Sequence, residues 1–165
     1  MKKIFICIIL SICTIMACAQ NTKTFYGKVF TMVYPSTYNI GKIENAPHML
    51  LKLISNKTLC SISKWNNGYD ESITAWDLYE YAESFSNPGT NTIKIIKGTM
   101  KLKNGQMKCI RIFANSLDSS NSKMLTYIFV YKGDLFVCSN FSLGKYNINS
   151  TSTNEDKIWT GLYLK

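Results

Sequence analysis

His48 is the only histidine of the chain and a candidate catalytic residue. An imidazole can act as the base for a serine or cysteine nucleophile, so a hydrolase that uses His48 is one hypothesis. A single histidine cannot supply a two-histidine zinc site, and the Gly-x-Ser-x-Gly motif of many serine hydrolases does not occur. His48 follows Pro47 at the start of an apolar run, where a structural or surface role is the simpler interpretation.

Acidic residues cluster between positions 70 and 83, where the sequence predicts a helix. They are Asp70, Glu71, Asp77, Glu80 and Glu83. A glycosidase-type pair would need one buried carboxyl group with a raised pKa, whereas a stripe of charge along a helix is usually its solvated side. We therefore predict no catalytic residue, no cofactor and no metal site.

Three of the six cysteines lie in or beside an apolar N-terminal segment, which leaves Cys60, Cys109 and Cys138. An exported chain permits disulfides, and an odd number allows at most one internal bond. All three lie in apolar, strand-like runs, which favours buried free thiols. A disulfide between two of them is the alternative.

The N-terminal segment is typical of a secretory signal peptide. Lys2 and Lys3 precede an apolar run from Ile4 to Ala17, which is shorter than the ~20 residues that a membrane span needs. Cleavage before Gln20 would follow an Ala-x-Ala site, whereas a bacterial lipobox would make Cys18 a lipid-attachment site. Both alternatives predict export to the periplasm or beyond, with anchoring through Cys18 in the second, and no transmembrane segment in the mature chain.

The rest of the chain has the length of one domain. We predict a signal peptide over 1–19, a disordered start over 20–24 and a single domain over 25–165. The formal charge is +9, and removal of the leader with its two lysines leaves +7. Such a charge favours an anionic partner or simply maintains solubility, and we expect no nucleic-acid partner for an exported protein.

Periodicity and turn residues predict strands at the start of this domain and helices in its middle and at its end. Pro35 should end the first strand, and Asp70 should cap the first helix. Ser152 and Glu155 form a capping box before the terminal helix. The predicted strands are Phe25–Tyr34, His48–Ser55 and Thr58–Trp65, and Tyr38–Ile43 is either a short second strand or an irregular return. The predicted helices are Glu71–Ser86 and Asp156–Leu164.

Two hairpins are predicted between these helices. Asn104-Gly105 is the strongest short-range hairpin signal, and a two-residue turn there would place Lys101 opposite Lys108. Gly98 would mark a bulge in the first strand. The second hairpin joins Met124–Tyr131 to Leu135–Phe141, and its strands are apolar on both faces. Such strands must be covered on both faces.

The first hairpin carries six basic residues and no acid, in contrast to the acidic helix before it. The two surfaces either face each other or form separate poles, and a pole would contact an anionic partner. Alternatively, the lysines protect a sheet edge from pairing and the tyrosines form the rim of the core. The candidate contact surface comprises Lys94, Lys97, Lys101, Lys103, Lys108 and Arg111 with the aromatic residues Tyr34 and Tyr38.

This order of elements resembles the PsbP-like superfamily and its bacterial exported relatives of the DcrB type. The residues that carry the resemblance are Phe30 to Tyr38 with Pro35-Ser36, the Asn-Gly hairpin and the terminal helix with Trp159. The resemblance implies an α+β fold, an antiparallel β-sheet flanked by helices on both faces as an α/β/α sandwich. It also implies accessory or interaction roles without family-wide catalytic residues.

We therefore expect an exported, non-catalytic envelope protein that acts as an accessory or interaction module. Its partner would be an envelope protein or an anionic glycan or lipid. The alternatives are a carrier of a small molecule or lipid, with a pocket between helix and sheet, and the hydrolase that uses His48.

Overall fold

The computed structural model of the protein describes residues 21–86, 88–149 and 154–165. The predicted leader, with Cys18, lies outside the described residues, and so do the side chains of the predicted capping box, Ser152 and Glu155. None of the helices in the described part of the chain has the length and hydropathy that crossing a bilayer requires.

Strands dominate the described residues. The strands are β1 (Thr22–Tyr26), β2 (Phe30–Pro35), β3 (Asn39–Ile40), β4 (Met49–Ile54), β5 (Thr58–Trp65), β6 (Thr90–Leu102), β7 (Gly105–Ser116), β8 (Ser122–Tyr131), β9 (Asp134–Leu143) and β10 (Leu162–Leu164). Two helical segments of 3₁₀ geometry accompany them, an acidic helix (Ala75–Phe85) and a terminal helix (Asn154–Gly161).

These strands form two antiparallel sheets. The large sheet has seven strands in the order β3-β4-β5-β9-β8-β7-β6, and the small sheet has three in the order β1-β2-β10. Strand β6 is the last in the order of the large sheet and is therefore an edge strand, although it belongs to the longest hairpin. The small sheet joins the two ends of the described chain.

The centre of the large sheet is covered on both sides, because β8 is buried at nearly every position. One side, the helix-covered face, packs against the acidic helix. The other, the sheet-covered face, packs against the terminal helix and the small sheet. There the rings of Tyr127 and Trp159 meet edge to face, with centroids 6.4 Å apart. Phe30, Met32 and Leu162 of the small sheet join the same core.

The predicted α/β/α sandwich is therefore wrong. The apolar pattern of β8 and β9 correctly indicates that both faces need a cover, but a helix supplies that cover on one face and a second sheet supplies most of it on the other. The chain is mostly β, with two packed antiparallel sheets. The sequence does not predict the small sheet, because its strands come from distant parts of the chain: β1 and β2 lie at the start of the domain, and β10 lies near its end.

The start of the domain also differs from the prediction. The single strand predicted over Phe25–Tyr34 is a hairpin, in which the amide of Gly27 donates to the carbonyl oxygen of Phe30 over 2.9 Å. Thr22 to Thr24, expected in a disordered start, belong to β1 and pair with β2. An edge strand that adds backbone hydrogen bonds to β2 is ordered by those bonds.

Both helices are shorter than predicted. The first begins after Thr74, whose amide donates to the carboxylate of Asp77 over 2.7 Å, while Asp70 accepts from the amide of Ser72 in the preceding turn. The terminal helix ends at Gly161, and the three residues predicted to continue it form β10.

The long hairpin turns one residue earlier than predicted. Leu102 pairs with Gly105, so the turn residues are Lys103 and Asn104, and Lys101 lies opposite Gln106 instead of Lys108. The amide of Lys103 donates to Leu162 O over 2.8 Å, and Asn104 Nδ2 donates to Leu164 O over 3.1 Å. Strand β10 thus binds the turn.

Gly161 brings the terminal helix into contact with β2. A Cβ atom at this position would lie 1.9 Å from the carbonyl oxygen of Val33. The neighbouring atoms are backbone, which cannot move aside as a flexible side chain could. The absence of a side chain is therefore a condition for the pairing of β10 with β2.

We predict that Gly161→Ala lowers the free energy of unfolding by about 1–3 kcal/mol, because the added methyl group overlaps the Val33 carbonyl. Urea denaturation measures the change. Gly41→Ala is the matched control, since its Cβ would meet the movable end of the Ile54 side chain, and should cost about 0.5 kcal/mol or less. Equal effects of the two substitutions would contradict the close contact between Gly161 and the carbonyl group of Val33.

Candidate functional site

The basic residues of the long hairpin divide between the two faces of the large sheet. Lys108 pairs with Thr99, and Lys97 pairs with Ile110. Because side chains alternate along a strand, Lys97, Lys101 and Lys108 share the helix-covered face, and Arg111 belongs to the sheet-covered face. The six residues therefore do not form one continuous surface.

The acidic helix lies directly on this hairpin. Trp76 Nε1 donates to the carbonyl oxygens of Gly98 at 3.0 Å and Cys109 at 3.2 Å. The hydroxyl of Tyr79 donates to Ile95 O over 3.1 Å. These bonds fix two aromatic rings of the helix against the edge strand and its neighbour.

Two lysines of the hairpin close over those rings. Lys108 Nζ lies 4.9 Å from the centre of the Trp76 ring, and Lys97 Nζ lies 5.1 Å from the centre of the Tyr79 ring. The hairpin and the acidic helix thus pack against each other, with two exposed lysines of the hairpin over aromatic rings of the helix. Asp77 has a lowered pKa, chiefly because the amide and hydroxyl of Thr74 donate to its carboxylate, with Lys108 as a weaker cause.

Arg111 is turned inward and does not belong to an open basic surface. Its guanidinium group lies across Gly98, where a Cβ atom would come within 2.8 Å of Nε and Nη2. Gly98 pairs regularly with Cys109, and the irregularity in β6 lies between Thr92 and Lys94. The predicted bulge at Gly98 is therefore wrong, and this glycine makes room for Arg111.

Lys101 and Lys103 remain exposed at the tip of the hairpin. Lys103 and Lys157 of the terminal helix line an open cavity of about 280 Å³, together with residues of β1 and β2 such as Thr22 and Pro35. The described residues that line this cavity include two lysines and no acid. We call this site the tip cavity.

The two tyrosines of the candidate contact surface lie elsewhere. Tyr34 is 4% exposed and belongs to the core of the sheet-covered face. Tyr38 is half-buried near Cys60, and burial is the main cause that raises the pKa of its hydroxyl. Because neither ring stands free on the surface, we leave both out of the contact surface.

His48 is exposed and stacks on Trp65, with the ring centres 5.1 Å apart. No hydrogen bond in the described residues joins its imidazole to a serine or cysteine, so no activated nucleophile accompanies it. Among the same residues, no three potential ligands come close enough together to hold a metal ion.

The three cysteines are buried free thiols, as the sequence predicted. Burial raises the pKa of the Cys60 thiol to about 12, and burial together with the nearby Cys109 and Cys60 raises the pKa of Cys138 well above its usual value. Thiols in this state are poor nucleophiles, since the thiolate is the reactive form.

Two open clefts lie between the acidic helix and the large sheet, where the carrier hypothesis would place a pocket. One, of about 450 Å³, is lined by Glu80, Glu83 and Lys94 at the edge strand. The other, of about 360 Å³, is lined by Trp65, Phe85 and Val137 among others. The core of the helix-covered face is filled by side chains such as Ile110 and Ile128, which are fully buried.

Two residues of the tip region, Lys157 and Tyr163, have no distinguishing signal in the sequence. In the sequence, Lys157 is one charged residue among others in the predicted terminal helix, and Tyr163 is one of the last residues of that helix. Gly161 did indicate a close approach, but its neighbour is β2 of the small sheet, which the sequence did not reveal.

We predict that Lys108→Met lowers the free energy of unfolding by about 0.5–1 kcal/mol, because it removes the cation–π contact with Trp76. Lys101→Met is the matched control on the same face of the hairpin and should change stability by less than about 0.5 kcal/mol. Thermal denaturation at low salt compares them. A larger loss for the control would contradict the packing of Lys108 on the helix.

Comparison with known proteins identifies the fold through structure and not through sequence. No family model matches the chain, and no curated protein matches it. The solution structure of cyanobacterial PsbP (CyanoP) from Synechocystis sp. PCC 6803 is similar, with a TM-score of 0.59 and 11% identity over 88% of this chain and 94% of that one.

A crystal structure from Bacteroides thetaiotaomicron is also similar, with a TM-score of 0.55 and 13% identity. It matches 88% of this chain, which spans about half (49%) of that protein. At such low identities the likeness concerns the fold alone. The order of strands, the pair of packed antiparallel sheets and the likeness to CyanoP together show that the chain has a PsbP-like fold.

Proposed function

We propose that this protein is an exported, non-catalytic accessory protein of the bacterial envelope and that it acts by binding a partner. The observation that carries the proposal is the PsbP-like fold, which extends over 88% of the chain. The family resemblance implies accessory and interaction roles for this fold. The leader-like segment over 1–19 supports export.

The contact surface of this proposal is the hairpin tip with the adjoining tip cavity. Lys97 and Lys108 lie over aromatic rings of the acidic helix, and Arg111 is turned inward across Gly98. Lys94 lines a cleft that also contains Glu80 and Glu83. Lys101, Lys103 and Lys157 are exposed. These three form the contact surface that we retain.

An acidic partner suits this surface, because exposed ammonium groups attract opposite charge over about 8–10 Å at moderate ionic strength. The partner would be an envelope protein with an acidic patch or an anionic glycan. Its binding should weaken as salt is added. The backbone bond from Lys103 to Leu162 holds the tip in place, so the surface is formed before the partner arrives.

Photo-crosslinking in the cells that produce the protein tests this proposal. A photoreactive amino acid replaces Gln106, which lies opposite Lys101, or replaces Lys57 in the turn between β4 and β5 as the matched control. We expect an adduct of defined mass from position 106 and none from position 57. Lys101→Glu with Lys103→Glu should reduce the adduct at least about fivefold, since it reverses the local charge.

Adducts of equal yield from both positions, or none from position 106 in folded, exported protein, would contradict the proposed contact surface. Insensitivity of the adduct to the charge reversal would contradict the role of the lysines. Circular dichroism of the purified variants shows whether each is folded.

A further inference from the structure

The outer face of the small sheet carries a row of three solvent-facing side chains. Tyr26 of β1 lies opposite Thr31 of β2, and Thr31 lies opposite Tyr163 of β10. Tyr26 is 78% exposed and Tyr163 is 43% exposed. Two aromatic rings thus flank a hydroxyl, about 10 Å apart across the three strands.

The next row on the same face is flatter. Thr24 lies opposite Val33, and Gly161 takes the position beside Val33 on the β10 side. Because Gly161 has no side chain, this row adds no bulk on the β10 side of the sheet. The face is therefore a shallow strip with rings at one end and short side chains at the other.

This strip leads into the tip cavity. The side of the cavity next to the strip is lined by Thr22, Pro35 and Thr160. The cavity is also lined by Lys103 of the hairpin and Lys157 of the terminal helix. Strand β10 fixes the base of Lys103 through the bond from its amide to Leu162 O. The exposed lysines converge on this 280 Å³ space from two different elements.

The chemistry of the strip matches an acidic saccharide better than a lipid surface. The C–H face of a sugar ring packs on an aromatic ring, and its hydroxyls need partners such as threonine hydroxyls. A carboxylate on the sugar would be held by the ammonium groups of Lys103 and Lys157. A membrane surface would instead select protruding apolar side chains, and the strip presents threonines, tyrosines and the half-buried Val33.

We propose that the outer face of the small sheet binds an acidic oligosaccharide, with a carboxylate in the tip cavity and a sugar ring on Tyr163. Tyr163 lies two residues beyond Gly161, roughly 7 Å along the strand, so the strip accommodates about two or three sugar units. The inference rests on the proposed function, because it names the partner class of the same contact surface.

Isothermal titration of the purified exported protein with trigalacturonate tests the inference, and the methyl-esterified trimer serves as the neutral control. We expect binding of the acidic trimer and about tenfold weaker binding of the ester. Lys103→Met with Lys157→Met should lower the affinity for the acidic trimer about tenfold, and Tyr163→Ala should lower it about fivefold.

Lys57→Met and Tyr81→Ala are matched controls, since both side chains are exposed away from the strip, and each should leave the affinity within about twofold. Thermal denaturation of every variant separates loss of binding from loss of fold. No binding of the trimer, or equal losses in the control variants, would overturn the inference.

A separate experiment measures binding of the protein to vesicles that contain anionic phospholipid. Binding to these vesicles in place of the trimer would also overturn the inference and assign the surface to lipid. A protein adduct from position 106 without glycan binding would remove the saccharide and leave the accessory function standing. Absence of both the adduct and glycan binding would remove the two proposals together.

Discussion

The structure depends on strand β10, which pairs with β2 on one side and binds the turn of the long hairpin on the other. Three residues, Leu162 to Leu164, connect the two sheets through the backbone. With this strand in place, the terminal helix buries Trp159 against Tyr127. Without it, the small sheet would lose a strand and the sheet-covered face would expose apolar side chains to water.

The same constraint shapes the surface. The hairpin tip would be free to move if its turn ended in solvent, as hairpin tips usually do. Because β10 holds the Lys103 amide, the exposed lysines of the tip keep a fixed position beside the terminal helix. On the opposite face the acidic helix engages Lys97 and Lys108 through its aromatic rings. The basic stretch is thus divided into lysines that lie over the rings of the acidic helix and lysines at the hairpin tip.

The sequence predicts the elements whose signals are local. The strand Thr58–Trp65 and the hairpin of β8 and β9 agree closely with the predictions, because apolar alternation and turn residues mark them. In that hairpin Lys132 and Gly133 both have positive φ, as a type I′ turn requires. In the long hairpin Asn104 is not among the residues with positive φ, its side chain donates to Leu164 O, and the register differs by one residue from the prediction.

What the sequence could not reveal is pairing between distant segments. Neither β1 nor β10 has a local signal that indicates its partner, so the sequence predicts helices on both faces of the large sheet. The lysines of the tip were identified as basic residues of a hairpin, but their neighbour Lys157 and the ring of Tyr163 come to them only through β10. The site is thus a product of tertiary contacts that no single stretch of sequence encodes.

Amide hydrogen exchange of Lys103, followed by NMR, tests the central role of β10 most directly. Lys103 is a turn residue, and the account predicts that its amide is as protected as the amides of β2, because it donates to Leu162 O in the packed structure. Rapid exchange at Lys103 while β2 stays protected would contradict the claim that β10 fixes the hairpin tip.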